Sequence, residues 1–132
     1  MKILIPVDPE IPVPTAAYGG VERLVDGLAT EYSRQGHEVI LVAHADSTAE
    51  GASLIYGWPA KSSRGLGNVV KNALMLQKVL KEEKPDIIHS FCRLLYHYPN
   101  FIFSRIPVVQ TYGRAISPWS TRLDSFVGGS KL

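Results

Sequence analysis

The residues with the clearest chemical potential are a pair of glycines. Tyr18-Gly19-Gly20-Val21-Glu22 stands between a stretch punctuated by Pro6, Pro9, Pro12 and Pro14 and the first segment with helical spacing. Glycine has no Cβ, so the backbone turns tightly there. A bulky anion can then reach the amides of a first helical turn, which carry unpaired N–H groups and about half a positive charge. A diphosphate fits such a cradle; the plainer alternative is that the pair only permits the turn. Glu22 falls in that first turn, where a carboxylate suits the helix dipole and braces the loop by bonding nearby amides. Two better-known phosphate motifs are missing. No Gly-Lys-Ser or Gly-Lys-Thr triplet follows, Gly129-Ser130-Lys131 having the wrong order and place, and Gly-x-Gly-x-x-Gly does not occur, which disfavours NAD and an oxidoreductase.

Further candidates lie on later loops. His89 ends an apolar run, where it either bonds an acceptor hydroxyl or is satisfied by its neighbours. Arg93 and Arg114 are cations whose planar forks suit a phosphate or an anionic acceptor, with surface solvation as the alternative, and Thr111 and Tyr112 join them. His44 and Asp46 either face the same crevice or are solvated, His37 reads as structural, and His97 as peripheral on an apolar helix. Cys92 is the one cysteine. It can form no internal disulfide and no thiolate metal site alone, which fits a reducing cytoplasm, and it reads as a small buried hydrophobe rather than a nucleophile. No metal or cofactor is expected.

These residues need a frame, and strand-like and helix-like segments alternate along the chain. Lys2 to Val7 is a near-continuous apolar run of strand length. From Gly20, Val21, Leu24, Val25, Leu28, Ala29 and Tyr32 recur at helical steps until Gly36 stops them. Glu38 to Ala43 is apolar on both alternating faces, as in a parallel sheet covered on both sides, and Ala52 to Tyr56 is a weaker third strand. Val69, Val70, Ala73, Leu76, Val79 and Leu80 mark a second helix that leaves Lys71, Lys78 and Lys81 outside and ends at Pro85. Asp86 to Ser90 and Pro107 to Thr111 are the fourth and fifth strands, with a short apolar segment from Arg93 to Ser104 broken by Pro99; Pro118 to Val127 reads as weakly helical. Right-handed crossovers then give an open, doubly wound parallel α/β sheet. Ligands of such sheets sit beyond the carboxyl ends of the strands, where strand order reverses, so the loops to watch are 8–20, 43–47, 90–93 and 111–117.

Composition excludes several classes. At 132 residues the chain is long enough for one core, and residues 1–132 read as one domain. Fourteen Lys and Arg against twelve Asp and Glu give a net charge of only +2, without the basic patch that a nucleic acid needs. The first apolar run stops at Asp8, below the length of a signal-peptide core or a membrane span. The final Ser130-Lys131-Leu132 matches a peroxisomal address only as a string.

Five motifs stand in order: the first strand, Tyr18-Gly19-Gly20-Val21-Glu22, Gln35-Gly36-His37-Glu38-Val39, Pro85-Asp86-Ile87-Ile88-His89-Ser90 and Pro107-Val108-Val109-Gln110-Thr111. Together they resemble the N-terminal, acceptor-side domain of the GT-B-fold retaining glycosyltransferases, the family-4-like group of sucrose synthases, glycogen-synthase relatives and bacterial mannosyltransferases. The resemblance implies a Rossmann-like domain forming half of a GT-B enzyme that moves a sugar from a nucleotide-sugar to an acceptor with retention. Gly19 and Gly20 would approach the donor diphosphate; a C-terminal domain or separate subunit would supply the other donor contacts. Where that group writes Thr-x-His-Gly, this chain has Thr111-Tyr112-Gly113-Arg114. The resemblance therefore assigns no catalytic residue. It also implies a further strand around the chain's end, so the domain is expected to stop before its last elements and to be inactive alone. The lysines of the second helix are similar to the basic surfaces by which some relatives touch anionic membranes, although Glu82 and Glu83 offset them. A non-catalytic α/β binding or assembly module, self-associating through an uncovered apolar surface, is the rival expectation.

Overall fold

The computed structural model describes residues 1–9, 13, 20–60, 65–92, 94–111 and 130–131. Six strands form one parallel sheet: β1 (Lys2–Pro6), β2 (Glu38–Ala43), β3 (Leu54–Gly57), β4 (Ile87–Ser90), β5 (Val108–Gln110) and β6 (Ser130–Lys131), in the order β3-β2-β1-β4-β5-β6. The chain builds outward from β1 in one direction, then crosses to build outward in the other. The reversal lies between β1 and β4, whose pairing runs on to a bridge between Val7 and Phe91.

Alternation along the strands sorts the core into two layers. Ile3, Ile5, Val39 and Leu41 face helix α1 (Gly20–Arg34), which contributes Val25 and Ala29. Leu4, Ile40, Val42 and Ile88 face helix α2 (Leu66–Glu83), which contributes Leu76, Val79 and Leu80. The layering follows from right-handed crossovers, since leftward connections must run over one face and rightward connections over the other. After β4, Tyr96 lies in the α2 layer and Phe101 and Ile106 pack against it, leaving β4 and β5 open on the α1 face among the described residues.

The helix ends explain their lengths. Gly36, at φ 93°, closes α1: its own N–H bonds Ser33 and the N–H of His37 bonds Tyr32, so two orphan carbonyls are satisfied. α2 ends on Lys84 in the left-handed conformation, just ahead of Pro85. Between β2 and β3 the chain lies directly on α1. A Cβ at Gly51 would overlap the backbone of Ala29 and Thr30, so that approach requires glycine.

Four expectations shift. β3 starts two residues later than the apolar run suggested, and β6 forms where no apolar run announced it. Leu24 and Val70, read as core positions, point outward, because each helix buries a narrower stripe than its apolar residues could fill. His97, read as peripheral, is fully buried. The expected weak helix from Pro118 to Val127 lies outside the described residues.

Candidate functional site

The carboxyl ends of β1 and β4 meet at the order reversal, and α1 begins beside them with Gly20 as its first residue. Glu22 is the helix's third residue and is buried, the place from which a carboxylate reaches back over the helix start. The loop leading to Gly20 is anchored by Val13. Fully buried, it donates its N–H to Ser47 Oγ at 3.0 Å and accepts from the Thr48 N–H at 2.7 Å. The loop after β2 therefore holds the loop after β1. Ser47 was not singled out from sequence; a small hydroxyl beside His44 and Asp46 on a crevice loop was the available signal. His44 turns inward along its own loop, its Nδ1 accepting from the Asp46 N–H at 3.0 Å.

His89 points to the α1 face. Its Nδ1 lies 2.9 Å from the Tyr32 hydroxyl of α1 and its Nε2 3.0 Å from Thr111 Oγ1, just past β5. Both ring nitrogens are engaged, one as donor and one as acceptor, so the neutral imidazole braces α1 against β5. Burial holds its pKa below the usual histidine value. His89 also lines an open groove of about 270 Å³, floored by Ile3, Ile87 and Val109 and bounded by Tyr32 and His37. That groove runs toward the amino end of the sheet, where Met1 and His37 line it.

On the opposite face, Ser90 Oγ sits 2.7 Å from His97 Nε2, and the Cys92 thiol lies 3.4 Å from the same nitrogen. All three are buried. Burial pushes the His97 pKa down to about 4. It pushes the thiol far up, with the Asp8 charge adding to the effect despite an opposing bond from Ser90. A neutral thiol beside a neutral imidazole is not an activated nucleophile. Gln110 donates from Nε2 to the Cys92 carbonyl at 2.9 Å, fixing the backbone that leads to Arg93. Next to this cluster, Asn72 of α2 clamps Ala60 through both its N–H and its carbonyl, each at 3.1 Å, and Trp58 Nε1 donates to the Val7 carbonyl at 2.6 Å. These amides and the indole were missed from sequence. The available signal was a lone amide among apolar neighbours, in Val108-Val109-Gln110 and on the buried stripe of α2.

Of the residues singled out from sequence, the structure brings His89 and Thr111 together and sets Gly20 and Glu22 at the start of α1. Gly19, Arg93, Tyr112 and Arg114 lie outside the described residues. Among the described residues no group of three His, Cys, Asp or Glu side chains is placed to hold a metal, and no helix is long and apolar enough to cross a membrane.

The family model described as Glycosyltransferase Family 4 matches residues 18–122, from the glycine loop past β5. The chain belongs to glycosyltransferase family 4. A search of curated proteins found no match. For this family-4 domain the Rossmann-like α/β sheet fits one half of a GT-B fold, and membership implies a sugar donor and an acceptor as substrates.

Proposed function

We propose that this domain is the acceptor side of a retaining glycosyltransferase whose donor is a nucleotide-sugar. The observation that carries the reading is the position of Gly20, which opens α1 beside the carboxyl end of β1 where the strand order reverses. A diphosphate at that point meets the free N–H groups of the first helical turn and the positive end of the helix dipole. The reading calls for no metal: glycines at positions 19 and 20 would put no Cβ between the anion and the amides, and Glu22 would brace the loop.

The acceptor would lie across the carboxyl ends of β4 and β5, near His89 and Thr111, with Arg93, Tyr112 and Arg114 as the further candidates that the sequence offers. His89 offers a ring nitrogen there only by exchanging Tyr32 or Thr111 for the acceptor. The arginines would hold an anionic acceptor through paired donors. Departure of the nucleotide builds negative charge on the diphosphate, and preorganised amides stabilise it best in a closed, dry cleft. A second domain or subunit supplies the other wall, so the 132-residue chain by itself transfers no sugar. The proposed setting is the cytoplasm, which a chain with Cys92 as its single cysteine fits.

Calorimetric titration with UDP-, GDP- and ADP-sugars tests the donor site. Weak binding of one of them, reduced at least about tenfold in Gly20→Val, is expected. Binding unaffected by that substitution contradicts the site. Sugar transfer by the isolated chain at the rate of intact glycosyltransferases contradicts the requirement for a second wall.

A further inference from the structure

The connection between β2 and β3 touches the molecule at two places that bear on the start of α1. At Gly51 it lies on the helix itself, so close that a Cβ would overlap the backbone of Ala29 and Thr30. At Ser47 and Thr48 it grips Val13: the Ser47 hydroxyl accepts the Val13 N–H at 3.0 Å, and the Thr48 N–H donates to the Val13 carbonyl at 2.7 Å. Between these two places Ala49 enters the same buried cluster as Val13, Val25 and Ala29. Val13 is thereby fixed relative to α1, and only six residues, 14–19, separate it from Gly20, the first residue of the helix. A short tether with both ends held restricts where the chain enters the helix. The turn that carries Ser47 is backed in its own right. The Ser47 N–H donates to the His44 carbonyl at 2.9 Å and the Asp46 N–H to His44 Nδ1 at 3.0 Å, while β3 ends against Ala45, whose Cα a Cβ at Gly57 would approach to 3.0 Å.

On the reading of that helix start as the seat of a nucleotide-sugar diphosphate, we propose that Ser47 is a positioning residue for the donor: through Val13 it sets where the chain enters α1, and so where the amides of the first turn face the anion. Ser47 touches no substrate in this role. What it supplies is preorganisation, since a helix start already in place spends none of the binding free energy on being ordered. Ser47 and Val13 are both buried, so loss of the hydroxyl leaves the Val13 N–H without a replacement from water. Ser53 provides the contrast. It belongs to the same connection and its hydroxyl donates to the Val39 carbonyl at 2.9 Å, but that bond ties the connection back to β2 rather than to the loop after β1.

The test compares Ser47→Ala, Ser47→Thr and Ser53→Ala with the parent, all as the full chain and all shown to be folded by circular dichroism. In amide NMR of the free chain, Ser47→Ala should move the Gly20 and Val21 signals and speed exchange of the Val13 N–H at least about tenfold, and Ser53→Ala should do neither. In calorimetric titration with UDP-, GDP- and ADP-glucose, Ser47→Ala should weaken the donor that the parent binds about fivefold. Ser47→Thr, which keeps the hydroxyl, should restore it, and Ser53→Ala should bind as the parent does. Donor binding that Gly20→Val reduces and Ser47→Ala leaves intact overturns the inference while sparing the donor site. A parent that binds none of the three donors overturns the donor site, and the donor role of Ser47 with it. Unmoved Gly20 and Val21 signals in Ser47→Ala overturn the positioning itself, and so does equal weakening by Ser53→Ala, which would make the effect one of general stability.

Discussion

The two ends of the parallel sheet solve the problem of polar groups in opposite ways. At the amino end the groups are charged and close to water. Lys2 Nζ sits 3.3 Å from Glu38 and 3.2 Å from Glu83, the Lys2 N–H donates to Asp86 at 2.7 Å, and Tyr56 reaches from β3 to donate to Glu83 at 2.7 Å. That last bond, with burial, pushes the Tyr56 phenol up to about 12. At the carboxyl end, apart from the Asp8 and Glu22 carboxylates, the groups are neutral and buried: Ser90 with His97, Gln110 with the Cys92 carbonyl, Asn72 with Ala60, and Trp58 with the Val7 carbonyl. His97 Nδ1 and Gln110 Oε1 there are buried without a hydrogen-bond partner among the described residues. Screened ion pairs contribute little and tolerate loss, whereas a desolvated neutral bond is costly to leave half made. The end held by buried neutral bonds is therefore the one where the candidate site lies.

The largest difference should come from Asn72→Leu, which strips both backbone groups of Ala60 of their partner. A loss of roughly 4 kcal/mol in urea unfolding is expected. Acid should act next. An unfolded histidine takes its proton near pH 6.5, whereas buried His97 does so only at about 4. Between those values the unfolded chain binds a proton that the folded chain refuses. Stability is therefore complete above about pH 6.5 and falls by about 3 kcal/mol as the pH drops toward 4. His89, shifted in the same direction, adds to the loss in the upper part of that window. Histidine NMR titrations would separate the two rings, and a His97 that titrates near 6.5 in the folded chain contradicts the assignment.

Ser90→Ala should cost about 1–2 kcal/mol, less than the Asn72 change, because one ring nitrogen loses its partner. It should also shift the His97 titration. Lys2→Ala should have the smallest effect of the four on the melting temperature, and one that shrinks further in high salt. Should it rival Ser90→Ala, the contrast between the two ends would disappear.

The contrast was only half legible in the sequence. Continuous apolar runs such as Glu38 to Ala43 announced parallel strands covered on both faces, and the spacing from Val25 to Ala29 announced α1. β6 escaped because it is only two residues long, Ser130 and Lys131, too short for any hydrophobic period to show. In the site, residue types were readable at Gly20, Glu22, His89 and Thr111, but partnerships were not. Tyr32 reaches His89 across fifty-seven positions. The depth of His97 depends on how the segment after β4 folds onto α2, which local spacing does not encode.

The central claim is that a nucleotide-sugar diphosphate binds at the start of α1. It is tested most directly by titrating the isotopically labelled chain with the donor that calorimetry selects and following its backbone amides. The account predicts saturating shifts centred on Gly19, Gly20 and Val21. Shifts confined to the groove around Ile87 and His37, or none at any amide of the glycine loop, would contradict it.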